Sequence, residues 1–144
     1  MVNGSSISVL VVDDFVQWRR VVRAALHEKL GLHMIEEAAD GLEAVRKAAN
    51  LQPDLVILDI GLPKLNGIEV AREIRSTSPE SRVVFLTENI SYDLAEEALH
   101  SGARGYIIKS AFAGEFMPAV EAVLEGRQLL SARLTALATE PPTA

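Results

Sequence analysis

Four short apolar runs punctuate the chain, at residues 7–12, 55–58, 83–86 and 106–108. Each is nearly continuous rather than alternating and rich in β-branched residues. A continuous apolar run is a strand buried on both faces, the mark of a parallel sheet covered by helices. A weaker fifth candidate lies at residues 33–37. Helical patterns fill the intervals. Residues 15–30 place Val21, Val22, Ala25 and Leu26 along one stripe, with Arg19, Arg20 and Arg23 elsewhere. Asp40 is a natural N-cap for a second helix, which should end near Gln52-Pro53 because proline disfavours helical geometry in the residue before it. Residues 67–75 predict a third helix. Residues 91–100 predict a fourth, with Gly102 suited to a left-handed C-cap. A fifth is predicted through 119–124, with Pro118 in its first turn, since an interior proline would break the helix.

Strand and helix thus alternate five times, which predicts an α/β, doubly wound parallel sheet with helices on both faces. Pattern alone does not order the strands. In the flavodoxin-like order 2-1-3-4-5, ligands belong at the C-terminal edge, near the switch between strands one and three. Residues 1–6 read as a disordered polar head. Residues 126–144, ending in Glu140-Pro141-Pro142-Thr143-Ala144, read as a linker-like tail.

Composition narrows the function. A chain of 144 residues with 49% hydrophobic and 24% charged residues is one globular domain. The lack of cysteine excludes a disulfide framework, a cysteine zinc site and thiol catalysis. A net charge of −6 makes direct nucleic-acid binding or attachment to an anionic membrane by bulk charge a poor expectation. It leaves room for a metal cation. No signal peptide and no apolar run of about 20 residues is visible, so a cytoplasmic protein is expected.

The chemistry sits where the apolar runs end. Asp13 and Asp14 follow the first run, Asp59 follows the run at 55–58, the next ends at Thr87, and the last ends at Lys109. In a parallel sheet these positions share one edge. Three carboxylates brought together repel one another, so ionising all of them needs a cation. Oxygen ligands without His or Cys suit a hard ion such as Mg2+. A lysine can pair with a carboxylate or a phosphoryl oxygen, and a threonine hydroxyl can donate to an anion. Together they could clamp a phosphoryl group on an aspartate, by positioning and charge neutralisation. Taken singly, each has an ordinary alternative: an N-cap for the Asp pair, turn chemistry for Asp59, a strand end for Thr87, a solvated lysine for Lys109. The joint pattern is far more specific.

Val11-Val12-Asp13-Asp14, the stretch from Asp54 through Asp59-Ile60-Gly61-Leu62-Pro63-Lys64-Leu65-Asn66-Gly67, Phe85-Leu86-Thr87 and Gly102-Ala103-Arg104-Gly105-Tyr106-Ile107-Ile108-Lys109 carry a resemblance. Over about residues 7–125 the chain resembles the receiver domain of two-component response regulators. The resemblance implies that Asp59 accepts a phosphoryl group from the phosphohistidine of a sensor histidine kinase. It implies that Asp14 binds Mg2+ directly, Asp13 helps through water, and Asp59 and the Gly61 carbonyl complete the ligands. Thr87 and Lys109 would contact the phosphoryl oxygens. Tyr106 matches the switch aromatic, whose ring turns inward when Thr87 is drawn toward the phosphoryl group. The output face would be the fourth helix, fifth strand and fifth helix (α4-β5-α5), with homodimerisation there. The implied activity is self-catalysed phosphorylation and slow hydrolysis, with no separate substrate to turn over.

The departures are informative. Ser110-Ala111 follows Lys109 where many receivers have proline. With Leu62-Pro63-Lys64-Leu65-Asn66-Gly67 and Gly126-Arg127-Gln128-Leu129-Leu130-Ser131, it resembles the branch that carries a C-terminal helix-turn-helix output domain. No such domain follows before Ala144, so a stand-alone or an excised receiver is expected. Glu88 replaces the usual small residue after Thr87; it either repels an incoming phosphodonor or points to solvent. Trp18, the only tryptophan, lies one turn past Asp14, either reporting the site by fluorescence or simply packing. His27, His33 and His100 show no metal spacing. The arginines of the first helix read as a solvated face or a docking patch. Two rivals remain: an aspartate phosphohydrolase of the haloacid dehalogenase kind, for which Asp59-Ile60-Gly61 lacks the second acid, and a phosphorylation-independent receiver-fold interaction module.

Overall fold

The computed structural model describes residues 7–29 and 32–134, and of residues 29 and 32–34 the backbone alone. The polar head, residues 135–144 of the tail and the His33 side chain lie outside the described residues. Six parallel strands form one sheet: β1 (Ile7–Val12), β2 (Leu32–Ala38), β3 (Leu55–Leu58), β4 (Arg82–Thr87), β5 (Gly105–Ile108) and β6 (Leu129–Leu130). Their order is β2-β1-β3-β4-β5-β6, the expected flavodoxin-like order with one strand added. The helices are α1 (Val16–Lys29), α2 (Gly41–Leu51), α3 (Gly67–Thr77), α4 (Tyr92–His100) and α5 (Phe112–Leu124), the last entered through a 3-10 turn at Lys109–Ala111.

The uninterrupted apolar runs are explained by two cores. Leu10, Val12, Val56, Leu58, Phe85, Tyr106 and Ile108 pack against α2, α3 and α4. Val9, Val11, Leu55, Ile57, Val84, Leu86 and Ile107 pack against α1 and α5. Alternate residues of the stretches 9–12, 55–58, 83–86 and 106–108 therefore enter opposite cores, which is why these stretches are apolar without interruption. Loop chemistry fixes the helix starts. Asp40 caps α2 by accepting from the Glu43 N–H at 2.8 Å. Asn66 and Glu69 form a capping box at α3, and Ser91 caps α4. Gly102 sits at φ 106°, as the left-handed C-cap reading requires.

Two expectations are corrected. First, α5 begins at Phe112, and Pro118 lies inside it rather than in its first turn. Phe116, Ala119, Val120 and Val123 form one buried stripe, and their burial outweighs the single hydrogen bond that proline removes. Pro118 and Gly114, the residue one turn before it, are both on the solvent side. Second, the segment after 125 is not all linker. Leu129 N–H donates to the Arg104 carbonyl at 3.0 Å and Ser131 N–H to the Tyr106 carbonyl at 2.8 Å. Leu134 is fully buried. Two apolar residues suffice to make a strand here because β5 offers an unpaired edge. The folded unit therefore reaches residue 134. Among the described residues no helix is long and apolar enough to cross a membrane.

Candidate functional site

Register gathers the site. Val12 lies opposite Leu58 in the β1–β3 pair, and Thr87 opposite Ile108 in the β4–β5 pair. The next residues along three of these strands are Asp13, Asp59 and Lys109, which fall together at the C-terminal edge. Asp13 and Asp59 extend the ladder by one bond each, from Asp13 N–H to the Ala38 carbonyl and from Asp59 N–H to the Val12 carbonyl.

Lys109 is the hub. Its ammonium lies 2.8 Å from Asp13 Oδ2 and 3.1 Å from Asp59 Oδ2. All three residues are buried, with 3%, 7% and 5% exposure for Asp13, Asp59 and Lys109. Asp13 Oδ1 accepts from the Phe15 N–H at 2.9 Å, and Asp59 Oδ1 from the Ile60 N–H at 2.8 Å. Asp14 is exposed, yet one carboxylate oxygen from each of Asp13, Asp14 and Asp59 lies within 4.8 Å of the others. Three carboxylates against one ammonium leave two negative charges at the edge. Burial pushes the Asp13 carboxyl above its ordinary range, and the Lys109 hydrogen bond offsets this only in part. Burial pulls the Lys109 ammonium down, but the Asp13 hydrogen bond and the charges of Asp59 and Asp13 outweigh it and hold the ammonium above its ordinary value. The donors are all oxygen, without His or Cys, so the set fits a hard cation rather than zinc.

The other sequence candidates fall into place around this hub. Thr87 is buried at the end of β4, and its Oγ1 accepts from Asn89 Nδ2 at 3.3 Å. The Tyr106 ring is fully buried, tilted against Phe85, with its hydroxyl donating to the Asn89 carbonyl at 3.2 Å. Burial, helped by the Asp59 charge, pushes the phenol up to about 12. The ring thus lies inward. Gly61 is exposed, and nothing stands within 4 Å of where its Cβ would be, so space does not demand glycine there. Glu88 is exposed but lines a cleft of about 370 Å3 together with Trp18, Ile90 and Lys109.

Three contributors escaped the sequence reading. Asn89 touches both Thr87 and Tyr106, and a polar loop residue gives no local signal of that. Arg19 donates to the Asp13 carbonyl at 2.7 Å and pairs with Glu37 at 2.7 Å. With Arg23 also paired to Glu37 at 3.2 Å, two of the three α1 arginines are turned onto the domain. Gly67 is required by close approach: a Cβ would run into the Asp59 carbonyl. The Asn66-Gly67 pair at a helix start was the available clue. His27 and His100 are exposed and apart from the cluster.

Comparison with known proteins identifies the family. Residues 9–121 match the family model of the response regulator receiver domain. The transcriptional regulatory protein LnrK of Bacillus subtilis is 36% identical over 130 residues, which cover 90% of this chain and 59% of LnrK. A two-component response regulator of the LuxR family from Aurantimonas sp. SI85-9A1 superposes with a TM-score of 0.86 at 33% identity, covering 92% of this chain and 94% of that one. CheY of Borrelia burgdorferi, solved in a complex with CheX, BeF3− and Mg2+, gives a TM-score of 0.76 at 31% identity, covering 81% of this chain and 88% of that one. The chain belongs to the response regulator receiver domain family, and its relatives include transcriptional response regulators of the LuxR type. It spans less than two thirds of the length of the curated relatives it matches.

Proposed function

We propose that this domain is a phosphorylation-activated signalling receiver in which Asp59 accepts a phosphoryl group from a sensor histidine kinase. The convergence of Asp13, Asp14 and Asp59 around the Lys109 ammonium carries this reading. An Asp59 carboxylate oxygen attacks phosphorus as the P–N bond of the phosphohistidine breaks. The imidazole nitrogen keeps the bonding pair and takes a proton from water. Lys109 is close enough to follow the new charge from the carboxylate onto a phosphoryl oxygen. Thr87 turns its hydroxyl from Asn89 to another of those oxygens. Asp14 and Asp59, Asp13 through water, and the Gly61 carbonyl would hold Mg2+. When bound, that ion neutralises the surplus carboxylate charge and the incoming phosphoryl oxygens. The Borrelia relative, bound to Mg2+ and a beryllofluoride, supports the same chemistry here.

The switch is a two-state element biased by one covalent change. Asn89 bonds both Thr87 and Tyr106, so turning Thr87 away breaks one arm of a shared contact. A homodimer through the α4-β5-α5 face belongs to the same proposal. β6 covers the edge of β5, so a second copy would meet α4 and β6 there. The net charge of −6 argues against direct nucleic-acid contact by this segment. A cytoplasmic setting goes with a kinase partner.

The test is incubation with Mg2+ and a small phosphodonor, read by intact mass, beside Asp59→Asn. A single added phosphoryl group that needs both Mg2+ and Asp59 is the expected result. No uptake and no beryllofluoride binding would favour the phosphorylation-independent module. Multiple turnover of phosphomonoesters would favour a hydrolase.

A further inference from the structure

The Lys109 ammonium faces more than carboxylates. It stands 5.0 Å from the centroid of the Trp18 ring and 5.9 Å from that of Phe15. Phe15 is more than half exposed, whereas Trp18 is half-buried and fixed. Its ring meets Phe112 edge-on at 5.6 Å, and Phe112 stacks on Phe116 at 4.6 Å. The indole is thus clamped between α1 and the first turns of α5, three residues beyond Lys109 itself. A cation over an indole face is attracted by the ring quadrupole, more strongly when water is excluded, and Lys109 is only 5% exposed. The carboxylates of Asp13 and Asp59 take the ammonium on one side, and the indole covers another without offering a competing acceptor. A flexible four-carbon stem is thereby held at the reacting carboxylate, where it would otherwise have rotamers to choose from.

We propose that Trp18 is a positioning residue for phosphoryl acceptance, a cation–π backstop that holds the Lys109 ammonium at Asp59. The proposal rests on the reading of Asp59 and Lys109 given above. It differs from simple packing in what can replace the indole: another aromatic face serves, an apolar side chain of comparable bulk does not.

Two measurements on the full chain test it. In the first, Mg2+-dependent phosphorylation by a small phosphodonor is timed by mass for the wild type, Trp18→Met and Trp18→Phe, with Mg2+ affinity taken by calorimetry. Trp18→Met should be phosphorylated about threefold more slowly at unchanged Mg2+ affinity, and Trp18→Phe should recover most of the rate. A Trp18→Met rate equal to wild type, or a Trp18→Phe rate as low as that of Trp18→Met, overturns the proposal. The second measurement needs no phosphoryl group. Trp18 is the only tryptophan, so its emission spectrum should shift in Lys109→Met and stay put in Lys47→Met, whose charge is lost elsewhere. An unshifted Lys109→Met spectrum also overturns the proposal. A wild-type chain that takes up no phosphoryl group refutes the reading of Asp59, whereas uptake indifferent to position 18 refutes only the role of Trp18.

Discussion

The end of β5 is held between two carboxylate sites of opposite design. On one side Lys109 enters the cluster of Asp13, Asp14 and Asp59, where three acids meet one ammonium. On the other, Ser131 accepts the Ile108 N–H at 3.0 Å and donates to Glu115 Oε1 at 2.5 Å, while the Ala132 N–H donates to Glu115 Oε2 at 3.1 Å. The second site is a latch, its single carboxylate bonded at both oxygens by neutral donors. The first sets three carboxylates against one ammonium, a surplus of two negative charges when all are ionised. Neighbouring residues, Ile108 at the end of β5 and Lys109 just beyond it, thus bond to the two sites separately.

The sharpest way to break this contrast is Lys109→Met. It leaves the buried carboxylates of Asp13 and Asp59 facing each other without their ammonium. Removing one partner of a buried charge cluster costs about 3 kcal/mol, which urea unfolding in the absence of divalent ions would read directly. Added Mg2+ should stabilise Lys109→Met by more than it stabilises the wild type, because a cation on the folded state takes over the charge of the missing ammonium. On the latch side, Ser131→Ala removes a donor from Glu115 and an acceptor from the Ile108 N–H. Leaving such groups short of a partner costs about 2 kcal/mol, and here Mg2+ should stabilise the variant no more than it stabilises the wild type. Equal Mg2+ rescue of the two variants would show that the sites are not separate.

The parts legible in the sequence are those fixed locally. Asp13, Asp59, Thr87 and Lys109 could be placed because each ends or directly follows a doubly buried strand, and parallel strands end on one edge. The Asp40 cap and the Gly102 turn followed from side-chain type alone. What stayed hidden depends on distant surfaces. A strand as short as Leu129–Leu130 has no periodicity of its own and exists because β5 has an open edge. The expectation for Pro118 rests on a sound local rule that a buried apolar stripe overrides. The links from Asn89 to Tyr106 and from Trp18 to Lys109 are matters of distance between elements, which no spacing along the chain encodes.

A smaller effect sharpens the contrast by pH. Burial holds the folded Asp13 carboxyl above its ordinary value of 3.8. A carboxyl raised on folding binds its proton more tightly in the native state. Its contribution to stability is therefore complete below the unfolded value and is lost as pH rises through the folded value. Without divalent ions, the wild type should lose stability relative to Asp13→Asn as pH climbs from below 3.8 through that folded value, and the difference should then level off. Urea midpoints of the two proteins across this window would show it. A difference constant with pH would mean that Lys109 fully compensates the burial of Asp13.

The smallest effect expected concerns Glu88, an exposed carboxylate that lines the same cleft as Lys109. A negatively charged donor drawn to Lys109 through that cleft would meet it. Between exposed charges about 4 Å apart in water the repulsion is about 1 kcal/mol, and salt reduces it further. Glu88→Ala should therefore speed phosphorylation by a small anionic donor about threefold at low ionic strength. The gain should shrink as salt is added, because screening removes the repulsion in the wild type while leaving the variant as it was. Glu88→Gln separates charge from bulk: it should match Glu88→Ala if repulsion is the cause, and match the wild type if the side chain merely narrows the cleft. A rate that ignores both substitutions would confine the working charge of this edge to the three carboxylates gathered around Lys109.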